Sequence, residues 1–238
     1  MSKKSILALS MAILIPLIGY VIVKYASEIA VVMPKRYYAD TVIVKTKNGK
    51  TTTDTVWHET ANISLVNQLG DTVSLYDKAG KIFVIDFFFT RCPSICPTLT
   101  KNMQKLQASF ASYKNGRSTI DSSIVQFLSF SVDPERDSSK AMKIYADRFN
   151  VNHDSWWMLT GDKKIIYDFA FNEMKLGLVD GDGVDSSFIH SQKFVLLDKD
   201  LVVRGYYNGL EDESLKQLAE DIGLLMVEKN PKKKRKLF

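Results

Sequence analysis

Cys92 and Cys96 are the only cysteines of this chain, and they stand in the string FTRCPSICP at residues 89–97. An apolar run at 81–89, which predicts a buried strand, precedes them, and a segment from Thr98 to about Tyr113, which predicts a helix, follows them. Thiols at a strand-to-helix junction lie at the rim of an α/β sheet, where ligands and redox partners reach them. The pair can therefore bind a metal as thiolates or exchange with disulfides.

The spacing of the two cysteines favours metal binding. Three residues separate them, so a helical turn places both sulfurs on one side. Pro93 or Pro97 can each occupy the first helical position, and either choice puts the thiols near a helix N-terminus, whose dipole favours thiolate. Thioredoxin-like redox enzymes usually have two intervening residues, and a third suits sulfurs that hold a soft ion between them. The alternative, a purely structural disulfide, would close too short a loop to add much stability.

His190 is the histidine best placed to join the cysteines. It precedes a predicted strand at 193, and in a thioredoxin-like sheet that junction lies across from the cysteine loop. Thioredoxins usually carry a cis-proline there, yet residues 182–200 contain no proline. The other two histidines, His58 and His153, fall in segments predicted to lie at the surface. Two thiolates and an imidazole suit copper, with zinc as the second choice.

The predicted elements that must position these residues alternate between strand and helix. They are a hairpin at 62–75, the strand 81–89, the cysteine helix, a strand at 124–132, a helix from Ser138 or Ser139 to about 149, a strand at 156–160, a helix at 163–174, a hairpin at 193–207 and a helix at 211–227. This order predicts an α/β fold, a thioredoxin-like three-layer sandwich.

Charge and length divide the chain into four parts. The net charge is +5, but residues 229–238 hold six positive charges and no acid, and subtracting these six leaves −1. The body is therefore not basic, which argues against a nucleic-acid partner. We expect a membrane anchor or signal-anchor at 1–27, a linker with strand-like pieces at 28–59, a thioredoxin-like copper-binding domain at 60–227, and a basic tail at 228–238 that solubilises the end of the chain or meets anionic lipid.

The N-terminal segment predicts a compartment. Ser5 to Val23 is free of charge and would span roughly 28 Å as a helix, close to the thickness of a bilayer core. Lys3 and Lys4 precede it and favour an N-terminus in the cytosol. We therefore predict a single-pass membrane protein whose C-terminal domain is extracytoplasmic, on the periplasmic side. A cleaved signal peptide is the alternative, and both place the cysteines where a disulfide can form.

Several motifs, in order, resemble the Sco/SenC family of copper-binding cytochrome oxidase assembly proteins. They are VIDFFFTRCPSICP at 84–97, SVDPERD at 131–137 followed by a helix with Tyr145-Ala146, LTG at 159–161, and His190-Ser191 before the strand VLLD. The resemblance covers about residues 60–227. It implies one copper, as Cu(I) or Cu(II), bound by Cys92, Cys96 and His190.

The chain departs from the family pattern near the expected metal. Ser94 stands where the family often has an acid between the cysteines, and Ile189 stands where an Asp commonly precedes the histidine. Both changes remove negative charge close to the ion, which bears on affinity and oxidation state. Asp133 resembles a family carboxylate near the site, where it either supports the metal ligands or organises the loop before Pro134.

The resemblance implies a membrane-tethered copper metallochaperone rather than an enzyme. Its partners would be a copper donor and the oxidase subunit with the dinuclear copper site. An alternative is a thiol-disulfide oxidoreductase that keeps that subunit's cysteines reduced, with Cys92 and Cys96 as its redox-active groups. Another is a copper or redox sensor, which would bind copper without transferring it.

Overall fold

The computed structural model describes residues 3–28, 32–47, 50–114, 117–120, 124–179 and 191–228. The chain forms two compact units, residues 1–33 and 34–238. The first contains helix α1 (Lys3–Glu28). Among the helices of the described residues, none has the length and apolar character needed to cross a membrane. The transmembrane helix predicted for residues 1–27 is therefore not confirmed.

The second unit contains eleven strands and five helices among its described residues. The strands are β1 (Ala39–Lys47), β2 (Lys50–Trp57), β3 (Ser64–Asn67), β4 (Thr72–Ser74), β5 (Ile82–Phe88), β6 (Ala111–Lys114), β7 (Arg117–Ile120), β8 (Val125–Ser131), β9 (Trp156–Thr160), β10 (Lys193–Leu197) and β11 (Val203–Asn208). The helices are α2 (Cys96–Ser109), α3 (Ser139–Arg148), α4 (Lys163–Asp168), α5 (Leu176–Val179) and α6 (Asp212–Val227), with a 3-10 turn at Leu75–Lys78 and a π-helical turn at Phe169–Glu173.

The central sheet has seven strands in the order β11-β10-β5-β8-β9-β3-β4. Strands β5, β8 and β9 run parallel, whereas β10 and β3 pair antiparallel with them on either side. Every residue of β5 and β8 is buried, as expected of parallel strands that are covered on both faces. The cysteine loop thus follows a central strand of the sheet.

Alternate residues of β5 enter two different apolar layers. Phe83, Ile85 and Phe87 belong to one core cluster together with Phe169 of the π-helical turn. On the opposite face Phe88 packs against the ring of Tyr145 in α3, with 5.4 Å between ring centroids. Helix α6 contacts β5 and β11 and also packs against α2. The predicted α/β fold is confirmed, with apolar layers on both faces of the sheet.

The cysteine helix is shorter than predicted. It ends at Ser109 instead of continuing to about Tyr113, and β6 and β7 follow as an antiparallel hairpin. The hydroxyl of Ser109 donates to the carbonyl of Leu106 at 2.7 Å, which satisfies a carbonyl of the last turn. The dipeptide Asn115-Gly116, typical of a two-residue hairpin turn, falls between β6 and β7, outside the described residues.

The segment predicted as a linker contains regular structure. The strand-like pieces at 41–44 and 51–56 belong to β1 and β2, which pair antiparallel as a separate two-stranded sheet. Their connection, Asn48-Gly49, again has the sequence of a two-residue hairpin turn and lies outside the described residues. Ser138 caps α3 by accepting from the amide of Ala141, as one of the two predicted caps. The sequence DGDG at residues 180–183 predicts a turn, and it lies outside the described residues.

Candidate metal and thiol site

The two cysteines lie at the junction between β5 and α2. Cys92 is in the loop that follows β5, and Cys96 is the first residue of α2. Pro97 is therefore the second helical residue, where its missing N–H costs no hydrogen bond, and Pro93 lies in the loop. The helix N-terminus predicted for the thiols is present, although neither proline occupies its first position.

A backbone hydrogen bond joins the cysteines. The amide of Cys96 donates to the sulfur of Cys92 at 3.4 Å, and the hydroxyl of Ser94 lies 3.8 Å from the same sulfur. Both cysteines are free thiols, with 8% of Cys92 and 3% of Cys96 exposed. The disulfide expected between them stays a prediction. Cys92 is the sulfur on which the local donors converge.

The surroundings of the two thiols shift their pKa values in opposite directions. Burial opposes ionisation of Cys92, but hydrogen bonds from the thiol and amide of Cys96 and from Ser94 outweigh it and lower the pKa of Cys92. Burial raises the pKa of Cys96, and its hydrogen bond to Cys92 and the nearby negative charges of Cys92 and Asp86 raise it further. Cys92 is therefore the thiol that ionises first.

Asp137 fixes the start of the cysteine loop. Its carboxylate is fully buried and accepts from the amide of Thr90 at 3.0 Å, the hydroxyl of Thr90 at 2.5 Å and the hydroxyl of Ser131 at 2.6 Å. Three donors compensate the buried charge and join the loops that follow β5 and β8. Cys92 therefore follows a segment that is held in place by a buried carboxylate.

Asp133 makes its contacts within its own loop. Oδ2 of Asp133 lies 2.6 Å from Nε of Arg136 in an ion pair that lacks the angle of a hydrogen bond. Its carbonyl accepts from the amides of Arg136 and Asp137, and its amide donates to Ser131. These contacts organise the loop before Pro134. A role for Asp133 beside the metal stays a prediction.

A second buried carboxylate lies in β5. Asp86 is 2% exposed, and neither carboxylate oxygen has a hydrogen-bond partner of good geometry. Burial raises the pKa of Asp86 to about 7, while the nearby Ser129 hydroxyl opposes this rise only in part. Asp86 also influences the ionisation of Cys96 and Tyr145. A group that titrates near neutral pH thus lies close to the buried thiol.

Of the three histidines, the structure describes His58 and His153. His190, the predicted third ligand, lies outside the described residues. Within the described ranges, no group of three or more Cys, His, Asp or Glu side chains is arranged to hold a metal ion. His58 and His153 are partly buried rather than solvated: His58 lies between Asp40 and Glu173, and His153 contacts Gln68 and Asp147. Of the three predicted copper ligands, the structure describes the two cysteines.

Sequence reasoning missed Asp86, Asp137 and Tyr145 as parts of this region. Tyr145 hydrogen-bonds Thr100 at 2.9 Å, and Thr100 donates to the carbonyl of Cys96 at 2.9 Å. The available signal for Asp86 was one acid inside an otherwise apolar run, since an acid in a buried strand rarely serves packing. Asp137 carried no such signal, because its burial depends on loops that meet only in the folded chain.

The fold and the site define a class of protein, the thioredoxin-like proteins with a thiol pair at the N-terminus of a helix. Within this class, the profile of the SCO1/SenC family matches residues 52–226. The chain is 34% identical over 175 residues to the SCO1 protein homolog of Bacillus subtilis strain 168, covering 73% of this chain and 86% of that protein. This chain belongs to the SCO1/SenC family.

Solved structures agree with this assignment. BsSco, described as a member of the Sco family of cytochrome c oxidase assembly proteins with a disulfide switch, is 32% identical, with a TM-score of 0.58 over 74% of this chain and 98% of that one. The copper-bound ScoI of Bradyrhizobium japonicum has 23% identity and a TM-score of 0.53 over 70% of this chain and 98% of that one. The likeness to ScoI concerns the fold.

Proposed function

We propose that this chain is a copper metallochaperone that binds one copper ion through Cys92, Cys96 and His190. The observation that carries the proposal is the pair of free thiols at the start of α2, joined by the amide of Cys96. Thiolates and imidazole are the ligands that copper prefers, and membership of a family that includes oxidase assembly proteins supports the same cargo. His190 enters this proposal through its position in the sequence.

The two thiols would contribute to copper binding in different ways. The lowered pKa of Cys92 makes its sulfur the first to offer a thiolate to an incoming ion. Cys96 has a raised pKa, so it must release its proton as copper binds, and binding is therefore coupled to pH. With three protein ligands, copper can leave stepwise as the ligands of an acceptor replace these.

The proposed client is the copper-site subunit of cytochrome c oxidase, and a separate copper donor would load the chaperone. The family membership and the description of BsSco as an oxidase assembly protein support this client. We also propose that the N-terminal segment attaches the domain to a membrane, with the domain on the extracytoplasmic side. The charge-free residues 5–23 after Lys3 and Lys4 support this attachment.

A second function, thiol-disulfide reductase, is favoured by the difference between the two thiols. Cys92 thiolate would attack one sulfur of a client disulfide and release the other as a thiolate. Deprotonated Cys96 would then attack the mixed disulfide, leaving a Cys92–Cys96 disulfide and a fully reduced client, so that two electrons pass to the client. This chemistry does not require His190.

Copper titration of the full chain distinguishes the two functions. Reduced protein is titrated with Cu(I) against a chromophoric Cu(I) chelator, and its His190→Ala and His153→Ala variants are titrated in parallel. We expect one copper per chain, a loss of affinity on the order of 100-fold in His190→Ala, and no change in His153→Ala, whose ring contacts Gln68 and Asp147 instead.

Reduction of a small disulfide by the same proteins provides the second readout. Copper binding that does not depend on His190, together with disulfide reduction retained in His190→Ala and abolished in Cys92→Ser, would reject the chaperone and support the reductase. Copper binding that depends on His190, with no copper passed to the oxidase copper-site domain, would instead identify a protein that senses copper.

A further inference from the structure

A groove of roughly 270 Å³ opens directly beside the cysteine loop. One side is the segment before Cys92, and the other is helix α3. Its lining residues are Thr90, Arg91, Ala141, Ile144, Tyr145 and Arg148. Because Thr90 and Arg91 directly precede Cys92 in the chain, a segment bound in this groove lies beside the cysteine loop.

The floor and one wall of the groove are rigid. The ring of Tyr145 packs between Phe88 and Phe149, with centroids 5.4 and 4.8 Å away, and its hydroxyl hydrogen-bonds Thr100. The amide and hydroxyl of Thr90 are both bonded to buried Asp137. The groove therefore exists before any partner binds, and docking would cost little ordering of these groups.

The groove carries two guanidinium groups that lack an internal partner. Arg91 and Arg148 are both exposed, and neither has an ion pair or hydrogen bond with any residue that the structure describes. Arg36, Arg136 and Arg204 by contrast all pair with carboxylates. No acidic residue lines the groove. Guanidinium forks bind carboxylates in a bidentate manner, so the groove is complementary to acidic side chains.

An exposed apolar side chain completes the surface. Ile144 is 56% exposed on the same groove, above the buried ring of Tyr145. A cation at the end of α3 is favoured by the helix dipole, which accounts for Arg148 alone. It does not account for Arg91 on the opposite side of the groove, nor for Ile144 on the same surface. Two cations beside an apolar residue match a segment in which acidic and apolar side chains alternate.

We propose that this groove docks an acidic segment of the partner protein that exchanges copper or electrons with Cys92 and Cys96. The inference rests on the proposed function, since it concerns how the client reaches the same thiols. Carboxylates of the segment pair with Arg91 and Arg148, and an apolar side chain between them packs on Ile144. Docking then holds the partner's own ligands beside the sulfur of Cys92.

The test measures binding of a fluorescein-labelled peptide of alternating glutamate and leucine to the full, metal-free, reduced chain by fluorescence anisotropy. We compare wild type with Arg91→Gln/Arg148→Gln and with Lys105→Gln/Lys216→Gln. The lysines are a matched control, because both are exposed and line a similar groove of roughly 250 Å³ between α2 and α6. All proteins keep the basic tail, so its contribution is common to them.

We expect roughly tenfold weaker binding in the arginine variant, little change in the lysine variant, and a loss of the difference when glutamine replaces glutamate in the peptide. Equal binding by wild type and the arginine variant would overturn the proposal, and so would an equal loss in the lysine variant. Cu(I) affinity of the arginine variant is measured separately and should match wild type. Docking and the proposed copper function can therefore fail independently.

Discussion

The amide of Cys96 donates a hydrogen bond to the sulfur of Cys92 across 3.4 Å. The bond is charge-assisted when Cys92 is ionised, so the start of α2 stabilises the thiolate of one cysteine with the backbone of the other. The pair therefore consists of two unequal thiols, although the sequence presents them as equivalent ligands.

This inequality predicts selective alkylation. Iodoacetamide at neutral pH, in limiting amount, should modify Cys92 several-fold faster than Cys96, because the pKa of Cys92 is lowered and that of Cys96 is raised. Peptide mass mapping of the reduced full chain measures the ratio. The Cys96→Ser variant, which leaves only Cys92, serves as the reference for its rate. Faster modification of Cys96 would contradict the assignment of the two sulfurs.

Asp86 predicts a dependence of stability on pH. Its pKa rises from 3.8 in the unfolded chain to about 7 in the folded protein. The folded state therefore binds the proton more tightly, so this stabilisation is fully present below pH 3.8, is lost as the pH rises through the folded pKa of about 7, and changes no further above it. The slope can reach about 1.4 kcal/mol per pH unit.

Urea unfolding under reducing conditions, at several pH values from about 5 to 8, measures this slope. Asp86→Asn cannot ionise, so it should lack the decline and gain stability relative to wild type at the alkaline end. Ser129, which lies near the carboxylate, offers a control: Ser129→Ala should keep the decline. Parallel pH profiles for wild type and Asp86→Asn would show that Asp86 is ionised throughout.

Asp137 predicts a large loss of stability on truncation. Asp137→Ala removes a fully buried acceptor of three hydrogen bonds and leaves the amide and hydroxyl of Thr90 unsatisfied. We expect a loss of about 3 kcal/mol in the free energy of unfolding. Chemical denaturation measures it, with exposed Asp154→Ala as the control that should change by less than about 0.5 kcal/mol. A loss as small as that of the control would mean that Asp137 does not hold the loop.

His58 predicts a second pH-dependent contribution to the stability of the fold. Nδ1 of His58 lies 2.8 Å from Asp40 and Nε2 lies 3.0 Å from Glu173. Burial opposes the charged ring, but the two carboxylates outweigh it and raise the pKa of His58 above 6.5. The stabilisation is therefore present below pH 6.5 and is lost as the pH rises through the folded pKa.

Melting temperatures of wild type and His58→Gln at about pH 6 and pH 8.5 test this contribution. The difference between the two proteins should be larger at the acidic pH. Glu173→Gln should reduce it, since Glu173 also accepts from the amide of Ala61 and joins the two segments. A difference that is the same at both pH values would mean that His58 stays neutral.

Local sequence rules predicted most of the fold. The buried strands β5, β8 and β9 follow from continuous apolar runs, and the start of α3 follows from the capping side chain of Ser138. The sequence prediction extends α2 to about Tyr113, but the helix ends at Ser109. Residues 111–114 instead form β6 and pair with β7. The linker at 28–59 was predicted to contain strand-like pieces, but their pairing as a hairpin was not predicted, because the Asn-Gly turn between them was not used as a hairpin signal.

The functional site could be predicted only where its residues lie close together in the sequence. Cys92 and Cys96 lie four positions apart, so their spacing indicated the chemistry directly. The contacts of Asp137 with Thr90, and of Tyr145 with Thr100, join residues more than forty positions apart and exist only once β5 and β8 lie side by side. No pattern within one segment encodes such a contact.

The hydrogen bonds at the two ends of the connection from β5 to α2 have a consequence for the proposed copper transfer. Thr90 is tethered to Asp137 at one end of this connection, and Cys92 is tethered to the amide of Cys96 at the other. Hydrogen bonds therefore restrain both ends of this connection. If the proposed copper transfer takes place, the ligands of the partner would have to adjust their positions to the two sulfurs.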